Sequence, residues 1–143
     1  DCNNVLQSWI EASALLNIKF YIACPKNISP DKKTLSWAQD RNKNIIVTQD
    51  AYEAARGANC IITDTWNSMG DTNPLSENSF MPYQVNDKII KLAEENVIFM
   101  HCLPAYRNKE VTPEVIESAN SVVFDEAENR LHAQKAIMHF CFN

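Results

Sequence analysis

The sequence contains only two glycines among 143 residues, Gly57 and Gly70. Phosphate-binding loops of nucleotide-binding proteins need several closely spaced glycines, so neither a GxGxxG motif nor a P-loop is present. This scarcity argues against a dinucleotide or nucleoside triphosphate site, and against a generic nucleotide-binding α/β domain.

Long apolar runs and an excess of basic residues are also lacking. No apolar stretch approaches the roughly 20 residues that cross a bilayer, which argues against an integral membrane protein. The 13 Lys and Arg residues against 18 Asp and Glu give a net charge of -5, whereas nucleic-acid binding needs clustered basic residues. We therefore expect no membrane and no nucleic-acid partner, although a locally positive pocket for a small anion is compatible with this charge.

The five cysteines form no CxxC pair and are spread along the whole chain: Cys2, Cys24, Cys60, Cys102 and Cys141. An odd number at such spacings is typical neither of a disulfide scaffold nor of a zinc site. A secretory signal, with its basic start and apolar stretch, is lacking as well. We therefore expect reduced thiols in a cytoplasmic protein, most of them packed as small apolar side chains, and no metal ion or cofactor.

Helix and strand patterns alternate along the chain. Apolar residues at helical spacing and proline or acidic start signals predict helices over residues 5–16, 29–41, 50–55, 85–93, a short stretch after 112–113, and 127–140. Short β-branched segments predict strands over residues 19–24, 44–48, 59–63, 97–100 and 121–124. Residues 64–82 have no clear period and are predicted to form a functional loop.

This order predicts an α/β domain of the Rossmann-like, three-layer kind, with a mainly parallel sheet of about five strands and helices on both faces. Such sheets bind ligands at the carboxyl ends of their strands. Asp64, Cys102 and Asp125 follow the third, fourth and fifth predicted strands, so we expect them at one edge. Because such a domain normally begins with a strand, we also expect a further strand upstream of Asp1, in a longer protein.

The segment after the third strand suits a zwitterion. Asp64 offers a carboxylate to an ammonium group, and Ser68 with the following backbone offers hydroxyl and N–H donors to a carboxylate. A capped turn is an equally simple explanation of these residues.

Two further segments carry reactive groups. Cys102 stands beside His101, but neighbours on a strand face opposite sides, so a structural cysteine competes with a catalytic one. Arg130 falls in the first turn of the last predicted helix, where the helix dipole disfavours a cation. An anion bound beside Arg130 would explain this position.

Together these segments resemble the aspartate and ornithine carbamoyltransferase family. Residues 64–70 are similar to its Asp-x-x-x-Ser-Met-Gly ornithine loop, 101–104 to its His-Cys-Leu-Pro active-site segment, 124–132 to its Phe-x-Glu-Ala-Glu-Asn-Arg stretch, and 1–4 to its Asp-x-Asn-Asn opening. The likeness runs the whole length in order and spacing. It implies that residues 1–143 are the ornithine-binding, C-terminal domain of such an enzyme. The N-terminal carbamoyl phosphate domain, with its Ser-x-Arg-Thr loop, has no counterpart here.

The resemblance also implies how the amino acid is held. The α-carboxylate of ornithine would meet the Asn4 side chain and the Met69 backbone N–H, and its α-ammonium would meet Asp64 and Ser68. Since putrescine has no carboxylate for these donors, a free α-amino acid is favoured as the substrate.

The implied catalytic residues are Cys102 and Arg130. Cys102 would orient or deprotonate the δ-amine of ornithine, while Arg130 and the Leu103 carbonyl, aimed by a cis Leu103-Pro104 bond, would hold the carbamoyl group. The reaction would transfer that group from carbamoyl phosphate to ornithine, giving citrulline and phosphate, without a metal or cofactor.

The wider expectations are a cytoplasmic homotrimer in arginine biosynthesis or breakdown, and a chain that is inactive by itself. Part of the apolar face of the last helix (Ile137, Met138 and Phe140) is expected to be exposed or covered by a partner. Two alternatives stay open: a carbamoyltransferase for putrescine or N-acetylornithine, and a non-catalytic amino-acid-binding module.

Overall fold

A computed structural model describes residues 1–67 and 75–143 of the chain. The strands are β1 (Phe20–Ala23), β2 (Ile45–Thr48), β3 (Cys60–Ile62) and β4 (Ile98–Met100). The helices are α1 (Asn4–Leu16), α2 (Lys32–Arg41), α3 (Ala51–Ala55), α4 (Glu77–Phe80), α5 (Asp87–Ile90), α6 (Pro113–Ile116) and α7 (Val123–Phe142), with a 3-10 helix at Met81–Tyr83.

The strands form two parallel pairs. β1 runs beside β2 with Phe20 opposite Ile45, and β3 runs beside β4 with Ile62 opposite Met100. All four fall on predicted segments and alternate with helices, so the predicted α/β class is confirmed. The paired strands of the described residues form two separate two-stranded sheets, which are smaller than the single sheet of about five strands that was predicted.

The fifth predicted strand, residues 121–124, is reduced to one bridge. Ser121 pairs with Phe99, and the flanking backbone bonds run from the Phe99 N–H to the Asn120 carbonyl and from the Val122 N–H to the Phe99 carbonyl. Helix α7 already begins at Val123, and Asp125 lies in its first turn rather than after a strand. Acidic residues favour a helix start there because they face the positive end of the helix dipole.

The helix boundaries show which capping residues set the start of each helix. Asp50 caps α3 as predicted, accepting the backbone N–H groups of Tyr52 and Glu53. The second helix, however, begins at Lys32, because Asp31 accepts the Thr34 N–H at 2.8 Å, and Ser29 does not cap it. The fourth predicted helix shrinks to α5, and the predicted loop 64–82 contains α4 and overlaps the 3-10 helix.

Buried apolar side chains form one cluster around each strand pair. The cluster around β1 and β2 contains Ile10, Ala14, Ile22, Ala38 and Ile45. The cluster around β3 and β4 contains Ala55, Ile61, Val85, Ile89, Val97, Phe99, Val111, Val115, Ile116 and Val123. Each strand pair therefore has its own buried cluster, although α3 contributes Ala55 to the second cluster and also contacts β1 and β2.

The last helix leaves its apolar side chains uncovered in this chain. Val123 in its first turn is buried, whereas Ile137, Met138 and Phe140 are 62%, 53% and 85% exposed. The predicted exposure of these three side chains is confirmed. Among the described residues, no helix combines the length and apolar character that crossing a membrane requires.

Asn42, which directly follows α2, connects α1 with the segments that precede β1 and β2. Its replacement by alanine should destabilise the fold by about 1–3 kcal/mol. Its side-chain amide donates to the carbonyls of Ser13 and Ile18 at 3.0 and 2.7 Å, and its oxygen accepts the Asn44 N–H at 2.9 Å. Urea titration of Asn42→Ala measures this loss. Asn96→Ala, at an exposed turn, serves as the control and should change stability by less than about 0.5 kcal/mol.

Candidate active site

Two of the predicted site residues meet at the carboxyl ends of neighbouring strands. Asp64 lies two residues beyond Ile62 in β3, and Cys102 lies two residues beyond Met100 in β4, its paired residue. The Cys102 thiol donates to Asp64 Oδ1 over 3.3 Å. The parallel register alone therefore brings these two groups together.

A third group in this contact was not predicted. The Asn3 side-chain amide donates to Asp64 Oδ2 at 2.7 Å, while its oxygen caps α1 by accepting the Val5 and Leu6 N–H groups. Asn4, the predicted ligand, is the exposed first residue of α1. An asparagine just before a helix is a recognisable cap signal, and it could have pointed to Asn3.

Asp64 is held as a carboxylate. Burial by itself would raise the pKa of this carboxyl, but hydrogen bonds from Asn3, the Thr65 N–H and Cys102 outweigh burial and leave the pKa below its ordinary value. A carboxyl whose folded-state pKa is lowered stabilises the fold fully above pH of roughly 4, and this stabilisation is lost as the pH falls through the folded-state pKa. Asp64 is therefore a negative group able to pair with an ammonium ion.

Cys102 is held as a thiol. Burial, followed by the charge of Asp64 and the hydrogen bond to it, raises the pKa of Cys102 to about 11. At neutral pH the group thus donates a hydrogen bond and does not accept a proton.

This pKa predicts slow alkylation of Cys102. Since thiolate is the reactive form, the rate with iodoacetamide should keep rising with pH until about 11. In Asp64→Asn the negative neighbour is gone, so the midpoint of the Cys102 profile should fall. Mass spectrometry of peptides alkylated across a pH series measures both. A midpoint that stays unchanged in Asp64→Asn would contradict this account.

A buried pair fixes the segment that carries Cys102. The Nδ1 atom of His101 accepts the Leu103 N–H at 2.9 Å, so the ring proton resides on Nε2, which lies 3.2 Å from Glu110 Oε1. The same carboxylate oxygen accepts the Tyr106 N–H at 2.6 Å. His101 and Glu110 are both 0% exposed. His101 therefore positions the turn, and Glu110 is a site residue that no sequence motif indicated.

The turn itself has the predicted peptide isomer. The Leu103-Pro104 bond is cis, and Leu103 has a φ of 55°, which a non-glycine residue rarely adopts. Such backbone is concentrated at functional sites.

Donor atoms of Asp64, His101 and Cys102 lie within 4.8 Å of one another, a spacing that would suit a metal ion. Both ring nitrogens of His101 are already engaged, however, one with the Leu103 N–H and the other with Glu110. The bonding of these three groups fits a hydrogen-bonded site better than a metal centre.

Helix α7 adds a second carboxyl next to this site. Glu126 accepts a hydrogen bond from the His101 backbone, and burial raises its pKa above the ordinary value despite that bond. The predicted residue Arg130 is exposed on α7 and lies four residues, about one helical turn, further along the same helix. It makes no ion pair with the described residues, which leaves its guanidinium available to a ligand.

Ser68 and Met69, the remaining predicted ligands, lie outside the described residues. The residues flanking that gap are joined: the Asn67 amide donates to the Leu75 carbonyl at 3.3 Å and its oxygen accepts the Leu75 N–H at 3.1 Å. The rings of Trp66 and Phe80 stack with centroids 6.0 Å apart. The described residues on either side of positions 68–74 are therefore held together.

The comparison with known families decides the identity of the domain. A family profile described as aspartate/ornithine carbamoyltransferase, Asp/Orn binding domain, matches residues 1–141. The chain belongs to this family. The resemblance drawn from the four sequence segments is confirmed.

Several relatives of this family are similar over nearly the whole chain. The ornithine carbamoyltransferase of Rhodopseudomonas palustris strain BisA53 is 49% identical over 143 residues, and that of Brucella abortus strain 2308 is 51% identical over 142 residues; each match covers 99% of this chain and 46% of the relative. The solved ornithine carbamoyltransferase of Pyrococcus furiosus is 42% identical with a TM-score of 0.89, covering 96% of this chain and 46% of that one. This chain therefore spans about half the length of these relatives.

Proposed function

We propose that this chain is the ornithine-binding half of an enzyme that transfers a carbamoyl group from carbamoyl phosphate to the δ-amine of L-ornithine, giving L-citrulline and phosphate. The observation that carries the proposal is the contact of Asn3, Asp64 and Cys102 at one sheet edge. The names of its relatives support the choice of ornithine.

The amino-acid end of ornithine would bind between Asp64 and the start of α1. The ionised Asp64 would accept the α-ammonium, together with Ser68. The α-carboxylate would meet Asn4 and the Met69 N–H, and Asn4 lies in the first turn of α1, where the helix dipole favours an anion.

Cys102 would orient the reacting δ-amine. That amine must be neutral to attack, and a thiol whose pKa is about 11 does not take up its proton at neutral pH. Of the two roles expected for Cys102, orientation is therefore favoured over deprotonation.

The carbamoyl group would lie between the Leu103 carbonyl and Arg130. The guanidinium of Arg130 would stabilise the negative charge that develops on the carbamoyl oxygen during attack. Arg130 projects from the helix that also carries Glu126 beside the His101 segment, which supports this location.

The complete reaction would need the other half of the longer protein, which would hold carbamoyl phosphate. We propose that the 143-residue chain alone does not turn over, and that the whole enzyme is a cytoplasmic homotrimer of arginine metabolism. Its exposed α7 side chains would be covered within that assembly.

The test is an assay of the longer protein with carbamoyl phosphate and three amines: ornithine, putrescine and N-acetylornithine. Ornithine should give the highest kcat/KM, with citrulline as product. A preference for putrescine or N-acetylornithine would overturn the substrate assignment, and amino-acid binding without carbamoyl transfer would favour a non-catalytic module.

A further inference from the structure

Two cysteines meet beside the start of α1. The thiol of Cys2 donates a hydrogen bond to the sulfur of Cys24, and both are free thiols in the structure. The surrounding surfaces agree with this contact. Asp1 and Asn3, on either side of Cys2, line the same cavity as Cys24. Cys2 itself lines a groove that also includes Pro30, a few residues beyond Cys24. No spacing motif links the two cysteines, so the fold alone brings them together.

Cys24 is the fixed member of this pair. Its backbone N–H donates to the Thr48 carbonyl at 3.2 Å, which extends the ladder between β1 and β2. Its Sγ atom donates weakly to the Ile28 carbonyl at 3.6 Å, and the side chain is buried. Cys2, in contrast, is half-buried and lies in neither a helix nor a strand. A bond between the two sulfurs would therefore form mainly by movement of Cys2.

The two thiols differ in acidity, as a reactive pair requires. The hydrogen bond from Cys2 stabilises the thiolate of Cys24 and lowers the pKa of Cys24 in spite of burial. The same bond, together with burial, raises the pKa of Cys2. Burial also raises the pKa of Cys60, and the pKa of Cys102 is about 11. Because the thiolate is the form that attacks an oxidant, Cys24 should react faster than Cys60 or Cys102.

We propose that Cys2 and Cys24 form a reversible redox pair whose oxidant is a peroxide. The Cys24 thiolate attacks one peroxide oxygen, which breaks the O–O bond and gives a sulfenic acid and hydroxide. The Cys2 sulfur then attacks the sulfenic sulfur and forms the S–S bond, while the sulfenic OH group leaves with the Cys2 proton as water. With hydrogen peroxide, two thiols and one peroxide are consumed, and one disulfide and two waters are formed.

The disulfide acts on the amino-acid site through Asn3. Bonded sulfurs are about 2.05 Å apart, much closer than hydrogen-bonded sulfurs, so Cys2 is drawn toward Cys24. The next residue, Asn3, donates to Asp64 Oδ2 at 2.7 Å and caps α1. Moving Cys2 therefore strains the contact that holds Asp64, and oxidation lowers the affinity for ornithine. This consequence rests on the proposed function, whereas the formation of the disulfide does not.

Peptide mapping of the longer protein tests the disulfide. The reduced protein is treated with hydrogen peroxide, the remaining thiols are alkylated, and the unreduced digest is analysed by mass spectrometry. We expect two peptides joined through Cys2 and Cys24, which separate again after treatment with dithiothreitol. Cys141→Ser, at an exposed cysteine of α7, is the matched control and should form the same pair. Cys2→Ser should form no disulfide, and dimedone should trap the sulfenic acid of its Cys24.

Two results would overturn the redox pair. Cys2 and Cys24 could both stay reduced while other cysteines are oxidised. Alternatively, each could pair only with a cysteine of another copy, which a non-reducing gel would show as a dimer that reduction separates.

Ornithine kinetics on the same samples test the coupling to the site. Oxidation should raise the KM for ornithine at least about five-fold, and reduction should reverse the rise, because the hydrogen bond from Asn3 to a charged group is weakened. The KM for carbamoyl phosphate should stay within about twofold. Cys2→Ser treated with the same peroxide should keep its KM for ornithine, which excludes oxidation of Cys102 as the cause.

The two proposals fail in different ways. A disulfide that forms without a change in the KM for ornithine overturns the coupling through Asn3. A protein that forms the disulfide but does not carbamoylate ornithine overturns the proposed function and supports the redox pair.

Discussion

Replacing Glu110 with alanine is expected to lower the free energy of unfolding by about 3–5 kcal/mol, because two buried donors lose their acceptor and a cavity is left in the core. Glu110 is fully buried, and its Oε1 atom receives hydrogen bonds from His101 Nε2 and from the Tyr106 N–H. Alanine leaves both donors buried without an acceptor and opens a cavity beside His101. Urea titration monitored by tryptophan fluorescence measures the loss.

Two further variants distinguish the loss of the buried Glu110 hydrogen bonds from the loss of a negative charge. Glu117→Ala removes the exposed partner of Arg107 and should cost less than about 1 kcal/mol, because both side chains are more than half exposed. Glu110→Gln keeps an oxygen for both donors and should lose only about 1–2 kcal/mol, the difference between a charged and a neutral acceptor. If Glu110→Ala is no more destabilised than Glu117→Ala, the pair does not hold the turn.

The strand-end rule explains why part of the site was predictable. Asp64 and Cys102 each follow a β-branched segment, and a parallel register necessarily aligns the residues that follow both strands. The same pattern recognition found four strands and the helix that Asp50 caps. These features depend on residues that are close in sequence or repeated at a fixed period.

What sequence reasoning missed depends on contacts between distant residues. Asn3 reaches Asp64 across 61 positions, and Glu110 is identified only by its burial against His101. The predicted fifth strand failed because a β-branched segment, Val122-Val123, directly precedes residues that favour a helix start. The spacing of apolar residues within a short segment reveals neither tertiary hydrogen bonds nor the competition between strand and helix signals at one position.

Asp64→Asn is expected to reduce kcat/KM for ornithine by roughly 30- to 4000-fold in the longer protein, provided that the proposed function holds. The estimate corresponds to about 2–5 kcal/mol for removing one charge of a hydrogen-bonded pair. The ionised carboxylate is the proposed partner of the α-ammonium. The amide has the same shape but only one acceptor oxygen, and its NH₂ group would face a cationic ligand.

The loss should fall on ornithine and not on the second substrate, so the KM for carbamoyl phosphate is measured beside it and should stay within about threefold. Asp87→Asn is the matched surface change, since Asp87 pairs with Lys91 at 3.2 Å where both are exposed, and it should leave both constants unchanged. Urea midpoints of the two variants exclude unfolding as the cause. If kcat/KM for ornithine is unchanged in Asp64→Asn, Asp64 does not bind the amino acid. The same conclusion follows if the affinity for carbamoyl phosphate falls equally, because a carboxylate that contacts the α-ammonium should affect ornithine more than the other substrate.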